Sequence, residues 1–232
     1  VRIIPYLLNG LTDDDAECAQ GAVKEIERLG ELHLQKNDKD YRERIEYGYR
    51  DELAATAAIT LPAPAPLTAR PSFGARERVR QHFRCLIHPI TAELDLWTST
   101  ERLQSAKLLV MLLAYTEGHV TEFAHQLLPA LARGMDNETK GLANIVGDCA
   151  AQFAQHTEPE EYLPLLIQKS ASDSLNPLST RLNHLSLIPH LLRGMRPTAS
   201  VRALVGLSPL IDDATLVTSQ HTPLRAAFRA TL

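Results

Sequence analysis

The stretch VRQHFRCLIHPITAELDLWTSTERLQSAKLLVMLLAYT, residues 79–116, contains the clearest pair of predicted helices in the chain. Its first half has the spacing of a single apolar stripe on one helix, formed by Val79, Phe83, Leu86, Ile87 and Ile90. Thr98 and Glu101 then have the spacing of a capping box, so a second helix begins there and runs to about Thr116. This second helix is apolar nearly all round over residues 108–115, so we expect neighbouring elements to cover both of its faces.

Similar pairs of amphipathic helices follow one another along most of the sequence. Each pair takes about 35–45 residues, which is the period of HEAT and armadillo-type arrays. One such pair cannot bury its apolar face alone, so the pairs must stack on their neighbours. The sequence therefore predicts an all-α fold, an α-solenoid of HEAT-type helical hairpins wound into an α–α superhelix. We expect a single solenoid domain over residues 1–232, with hairpins at about 2–30, 75–117, 119–157, 159–195 and 198–232.

The pattern is interrupted between the first two hairpins, over residues 31–73. Residues 31–52 are dense in charges of alternating sign, which is typical of a solvated extension of a helix. Residues 53–72 are rich in Ala, Thr and Pro, a composition that cannot form a packed core by itself. We therefore predict a charged and Pro-rich insertion whose second part is a mobile, partly extended loop.

The overall composition excludes several classes of protein. Hydrophobic residues make up 44% of the chain and charged residues 22%, as in an ordinary globular domain. The formal net charge is −4, whereas a protein that binds nucleic acid or a membrane surface usually shows a strongly basic face. The longest apolar run, residues 108–115, is far too short to cross a bilayer. We therefore expect no nucleic-acid partner and no membrane partner.

The three cysteines indicate the redox compartment of the protein. Cys18, Cys85 and Cys149 are widely separated, lie in apolar helical stretches and include no CxxC pair. This usage indicates a reducing compartment with buried free thiols.

The sequence begins in the middle of the helical pattern and ends without a polar capping unit, so we expect a fragment of a longer array.

Motifs for catalysis or cofactor binding are missing from the sequence. Nothing matches GxGxxG, GxxxxGK[ST] or GxSxG. Six histidines form pairs that are six residues apart, a spacing that points to different sides of a helix, unlike the i, i+4 zinc arrangement. The acidic clusters at 13–15 and 158–161 lie at predicted helix starts, where carboxylates stabilise the helix dipole. We therefore predict no enzyme activity, no cofactor, no metal and no small-molecule substrate.

A row of arginines is the one candidate site for contact with a partner. Arg76, Arg80 and Arg84 recur at i, i+4 and i+8, beside the apolar stripe of the quoted stretch. A basic helix face of this kind can bind phosphate or an acidic partner. More often such a face is solvated, or pairs with acidic residues on a neighbouring repeat. Both interpretations stay open at this point, and partner binding at these three residues is our site prediction.

Three segments, in their order and spacing, resemble the HEAT-repeat dynein axonemal assembly factor family, in its central to C-terminal part. The first is LLNGLTDD, residues 7–14, which leads to Leu29-Gly30. The second is LQKNDKD, residues 34–40, with its Pro-rich sequel that ends at Arg70-Pro71. The third is Trp97-Thr98 through RLQSAKLL, residues 102–109, followed by His119. The match covers most of the chain and is weaker after about Pro159.

The resemblance implies a non-enzymatic α-solenoid that binds proteins and helps to preassemble axonemal dynein arms for motile cilia or flagella. The implied location is the cytoplasm, with the base of the cilium or flagellum as a second one. The implied partners are dynein chains and chaperone or co-chaperone assembly factors. One alternative is a HEAT-repeat scaffold or adaptor of another pathway, of the nuclear-transport or phosphatase type. Another is an all-α enzyme, which would need titratable residues that converge in one pocket.

Overall fold

The computed structural model of the protein describes residues 3–37, 39, 41, 61–96, 98–136, 141–171 and 176–231. These residues form α-helices and short 3₁₀ turns, and no strand occurs among them. The helices are α1 (Ile4–Gly10), α2 (Ala16–Lys36), α3 (Phe73–Glu93), α4 (Ser99–Thr116), α5 (Ala124–Gly134), α6 (Leu142–His156), α7 (Pro159–Ser170), α8 (Leu178–Gly194), α9 (Ser200–Ile211), α10 (Ala214–Val217) and α11 (Thr222–Thr231). None of the described helices is both long and apolar enough to span a lipid bilayer.

From α3 onward the helices stack in two layers. Helices α3, α5, α7 and α9 form the first layer, and each packs on the next one. Helices α4, α6, α8 and α11 form the second layer in the same way. The layers are joined because α3 packs on α4, α5 on α6 and α7 on α8. This arrangement is an all-α solenoid, so the predicted fold class is confirmed.

A continuous apolar core runs through the stack. The predicted stripe on α3 is part of it, since Val79, Phe83, Ile87 and Ile90 are buried. Helix α4 is buried on all sides over residues 109–115, as its all-round apolar sequence predicts. Both patterns in the quoted stretch are therefore confirmed, and together they form the centre of the molecule.

Polar side chains cap the starts of α2 and α3, whereas the start of α4 has a polar residue in place but no hydrogen bond from it to the backbone. Asp15 caps α2, since its carboxylate accepts a hydrogen bond of 2.8 Å from the backbone N–H of Glu17. Ser72 caps α3 by accepting from the N–H of Ala75. Thr98 precedes α4 as predicted, but its hydroxyl donates to the carboxylate of Glu101 and does not accept from the backbone.

Helix α2 crosses α3 with the two backbones in direct contact. A Cβ atom added to Gly30 would overlap the backbone of Gly74 and Ala75, and one added to Gly74 would lie 2.5 Å from the carbonyl oxygen of Gly30. Glycine is needed at both positions because no side chain fits between the helices. In the same helix α2, a Cβ on Gly21 would meet nothing within 4 Å.

Residues 61–72, which we call the strap, lie against the helices. Leu67 and Pro71 of the strap are buried, and its backbone is bonded to side chains of α2 and α6. The prediction of a mobile loop is therefore wrong for these residues, because helices distant in the chain supply the packing that the strap cannot supply itself. The rest of that prediction, over residues 53–60, lies outside the described residues, as do positions 42–52 of the charged part.

The cysteine prediction is wrong at two of three positions. Cys18 and Cys85 are exposed and only Cys149 is buried. Ala19 next to Cys18, and Phe83 and Ile87 on either side of Cys85, are buried, so the two thiols lie on the exposed sides of their helices. Burial raises the pKa of the Cys149 thiol well above its usual range, so that thiol stays protonated.

Candidate functional site

The structure separates the three predicted arginines by their burial. Arg76 is 2% exposed, and Arg80 is also enclosed, because both side chains point from α3 to the end of α4. Arg84, one turn further along, is 82% exposed and lies 3.8 Å from Glu122. The guanidinium groups of Arg76 and Arg80 are therefore engaged within the fold and do not offer a surface for a partner. Partner binding stays a prediction for Arg84 alone.

Glu117 is the centre of a buried ion-pair cluster. Its carboxylate accepts from the Nε and Nη2 atoms of Arg70 at 2.6 and 2.9 Å. It also accepts from Nη1 of Arg76 at 2.5 Å and Nη2 of Arg80 at 3.3 Å. Arg80 pairs in addition with Glu77, at 2.9 Å. The cluster joins three elements, since Arg70 belongs to the strap, Arg76 and Arg80 to α3, and Glu117 follows α4.

The backbone at Glu117 has an uncommon conformation. Its φ angle is 50°, in the left-handed region that residues other than glycine rarely adopt. Such a conformation persists only where surrounding contacts hold it. The arginines supply these contacts, and Nε of Arg80 also donates to the carbonyl oxygen of Thr116 at 3.2 Å, which caps a free carbonyl at the end of α4.

Burial and charge oppose each other in this cluster. Burial alone would raise the pKa of the Glu117 carboxyl, but the hydrogen bond from Arg70 and the charge of Arg76 outweigh it, so that the pKa is lowered. Glu117 is therefore ionised at neutral pH. Next to it, burial lowers the pKa of His156 to about 4, so that this imidazole is neutral.

The strap is held by side-chain amides along its length. Oε1 of Gln155 accepts from the N–H of Leu61 at 2.8 Å, and Nε2 of Gln20 donates to the carbonyl of Pro66 at 2.7 Å. A longer contact of 3.5 Å joins Nε2 of Gln152 to the carbonyl of Pro62. Prolines leave backbone carbonyls as the polar groups that a neighbour can bind, and glutamine amides suit them. The strap is thus held through its backbone at Leu61, Pro62 and Pro66 and through the side chain of Arg70.

An open groove of about 570 Å³ lies beside the strap. Residues 64–66 of the strap form one wall, and the junction of α1 and α2 forms the other. Its floor is apolar and includes Val110, Met111 and Ile145. Its rim is mostly acidic and includes Asp13, Asp14, Lys107 and Asp148. A second cavity of about 280 Å³ shares Pro64, Val110 and Asp148 with it and extends to Arg193 on α8. The groove therefore crosses the second-layer helices.

The groove has the general character of a ligand-binding site. An apolar floor with a few polar groups at its rim is the usual character of a binding site. Across the described ranges, no group of three or more His, Cys, Asp or Glu side chains is placed to hold a metal ion. Sequence analysis did not find this site because its walls come from residues far apart in the chain, such as Asp13, Pro64 and Asp148.

The two stacked layers place the chain in the class of HEAT-repeat α-solenoids. The model of one particular family, the HEAT-repeat domain of dynein axonemal assembly factor 5, matches residues 63–226, and the chain belongs to this family. The matched region begins inside the strap and ends in α11. The predicted resemblance to this family is therefore confirmed, and of the three segments that carried it the third lies wholly within the matched residues.

Two full-length relatives show the same similarity. Dynein axonemal assembly factor 5 of Xenopus laevis is 26% identical over 170 residues, which cover 72% of this chain and 19% of the relative. Dynein axonemal assembly factor 5 of Mus musculus is 25% identical over 169 residues, which cover 72% of this chain and 18% of the relative. The chain thus corresponds to about a fifth of the length of these proteins.

Proposed function

We propose that the chain is part of a non-enzymatic, protein-binding scaffold for the cytoplasmic preassembly of axonemal dynein arms. The observation that carries this proposal is the family match over residues 63–226. The relatives are named as dynein axonemal assembly factors, and the proposal takes that role over to this chain. Its partners are then dynein chains and the chaperone or co-chaperone factors that act on them.

The proposed mechanism is geometric. Stacked helices present an extended surface, and an extended surface binds a client through many small contacts along its length. The groove beside the strap supports this mechanism, because it crosses the second layer from the α1–α2 junction to α8. A client segment held there is kept from aggregation until its partner subunits join it.

The proposal is tested in ciliated cells. Affinity purification of the full-length protein from cytoplasm is expected to recover dynein chains, and cells that lack the protein are expected to show axonemes with missing dynein arms by electron microscopy. Normal dynein arms in such cells would overturn the proposal. Recovery of transport receptors or phosphatase subunits without dynein chains would instead favour a HEAT-repeat scaffold of another pathway.

A further inference from the structure

The surface that holds the strap, which we call the seat, has the features of a binding site for an extended peptide. The groups that hold the strap come from α2, α6 and the end of α4, and they bind it mainly through its backbone and two anchor side chains. The anchors are Leu67, which is buried, and Arg70, whose guanidinium binds Glu117 through two hydrogen bonds. Main-chain hydrogen bonds give affinity and alternate side-chain pockets give specificity when proteins bind extended segments.

The seat stays electrostatically balanced when it is empty. Glu117 keeps its ion pairs with Arg76 and Arg80 when Arg70 leaves, so its buried charge is not left without a counter-ion. Oε1 of Glu117, which accepts from Nε of Arg70 at 2.6 Å, then becomes the anchor point for another guanidinium. A ligand can be exchanged at such a site because the buried carboxylate keeps its counter-ions while the site is empty.

A small open cavity of about 50 Å³ adjoins the strap and is also lined by Ala114, Gln152 and His156. The open groove continues from the seat along the strap, so a longer segment could extend over the apolar floor at Val110 and Met111.

We propose that this seat is a docking site for an extended segment of a partner protein that carries a leucine and, three residues later, an arginine, flanked by prolines. The strap, with Leu67 and Arg70 at that spacing, occupies the seat as a built-in competitor. The proposal deepens the proposed function, on which it rests for the source of the partner segment, and it names the chemistry that the scaffold recognises. A partner segment would displace the strap and then extend into the groove.

The test uses a fluorescent peptide with the sequence of the strap, LPAPAPLTARPS, residues 61–72. Its binding is measured by fluorescence anisotropy to the 232-residue chain and to the double variant Leu67→Ala/Arg70→Ala, in which the strap has lost both anchors. An occupied seat weakens apparent affinity in proportion to the fraction of time it is closed, so we expect at least about tenfold tighter binding to the double variant. Thr68→Ala, at an exposed position of the strap, is the matched control and should bind like the wild type.

The anchors are tested in the peptide as well. A peptide with Arg70→Ala should bind the double variant at least about tenfold more weakly, because it lacks the guanidinium that Glu117 holds. Equal binding of the strap peptide to wild type and double variant, or no binding to either, would overturn the proposal. So would light scattering that shows the wild type as a dimer from which the peptide releases monomers, since the occupant would then be a second copy of this chain.

A second measurement serves if the double variant does not fold. A spin label is placed at Thr68→Cys in a Cys18→Ser/Cys85→Ser background, which removes the two exposed thiols. Excess strap peptide should raise the mobility of the label by displacing the strap, and an unchanged spectrum would overturn the proposal. Failure of either peptide test would overturn the peptide site but not the proposed role in dynein-arm assembly. Normal dynein arms in cells without the protein would overturn that role but not the peptide site.

Discussion

Glu117 and Glu158 each bind more than one arginine, but they lie in opposite settings. Glu117 has a side chain that is 7% exposed and holds arginines from the strap and α3. Glu158, just before α7, is 41% exposed and holds Arg196 and Arg202. Burial therefore decides what such an ion pair contributes to stability. Loss of a buried partner leaves a charge without a counter-ion, whereas water compensates for the loss of an exposed one.

The same contrast separates helices α4 and α9. Both have long apolar stretches, but α4 packs on α1, α3 and α6, whereas α9 packs on α7 with one face only. On the other face of α9, Val201 is 72% and Val205 70% exposed. In the strapped half of the molecule, which we define as α1 to α6 with the strap, α4 is thus buried on all sides over residues 109–115, whereas one face of α9 is exposed.

The largest effect should come from removing the buried carboxylate. Glu117→Gln leaves three guanidinium groups close together without their anion, and we expect a loss of about 3–5 kcal/mol in the free energy of unfolding. Glu158→Gln, the matched change at the exposed cluster, should cost about 1 kcal/mol or less. Urea denaturation of both variants measures the difference. Equal losses would show that burial does not distinguish the two clusters.

A backbone contact in the strapped half gives the next effect. Gly30→Ala places a methyl group against the backbone of α3, which cannot rotate away, and should lower the free energy of unfolding by about 3 kcal/mol. Gly21→Ala in the same helix meets open space and should raise it by up to about 1 kcal/mol, because alanine favours the helix. Thermal unfolding followed by circular dichroism separates the two. If Gly30→Ala were neutral, α2 and α3 would not be in direct contact.

Acid should weaken the strapped half through His156. The pKa of this imidazole in the folded chain is about 4, below its ordinary value near 6.5, so between these pH values the unfolded chain binds a proton that the folded chain does not. Stability is therefore lost as the pH falls through this window, by about 1–2 kcal/mol from His156 between pH 7 and pH 5.

The variant His156→Gln isolates this contribution. Its free energy of unfolding should depend less steeply on pH between 7 and 5 than that of the wild type. The difference between the two proteins at pH 8, where both side chains are neutral, is the control for lost packing. Parallel curves over the whole range would mean that His156 is protonated equally in the folded and unfolded chain.

The smallest effect is expected on the open face of α9. Val205→Gln replaces a side chain that makes little contact and should change the free energy of unfolding by no more than about 0.5 kcal/mol. The same variant should bind less of a hydrophobic dye, because the apolar face of α9 is interrupted. A loss above about 1 kcal/mol would instead show that this face is packed in solution.

The sequence was sufficient for features that depend on neighbouring residues. The stripe from Val79 to Ile90 and the start of α4 after Thr98 follow from helical spacing and capping, and both are found. The stacking of helix pairs also followed from the repeat period, because a helix pair of this kind can bury its apolar face only against a neighbouring pair. The all-α solenoid fold could therefore be predicted from the sequence alone.

Features that depend on distant residues were not accessible. The row of Arg76, Arg80 and Arg84 lies on one side of α3, but nothing nearby in the sequence shows that Glu117, 41 residues beyond Arg76, meets its first two members. The strap likewise has the composition of a free loop, and its packing comes from Gln152 and Gln155, about 90 residues away. Both features are set by long-range contacts, which outweigh the local pattern.

The path of the strap has a consequence for how the molecule unfolds. In a simple solenoid each repeat touches only its neighbours, so repeats can fray one at a time from an end. The strap touches α2, the end of α4 and α6 together, and thereby links units that are not adjacent in the stack. These units can open only after the strap has detached, so α1 to α6 should unfold as one cooperative block, while α9 to α11 open separately and at lower free energy.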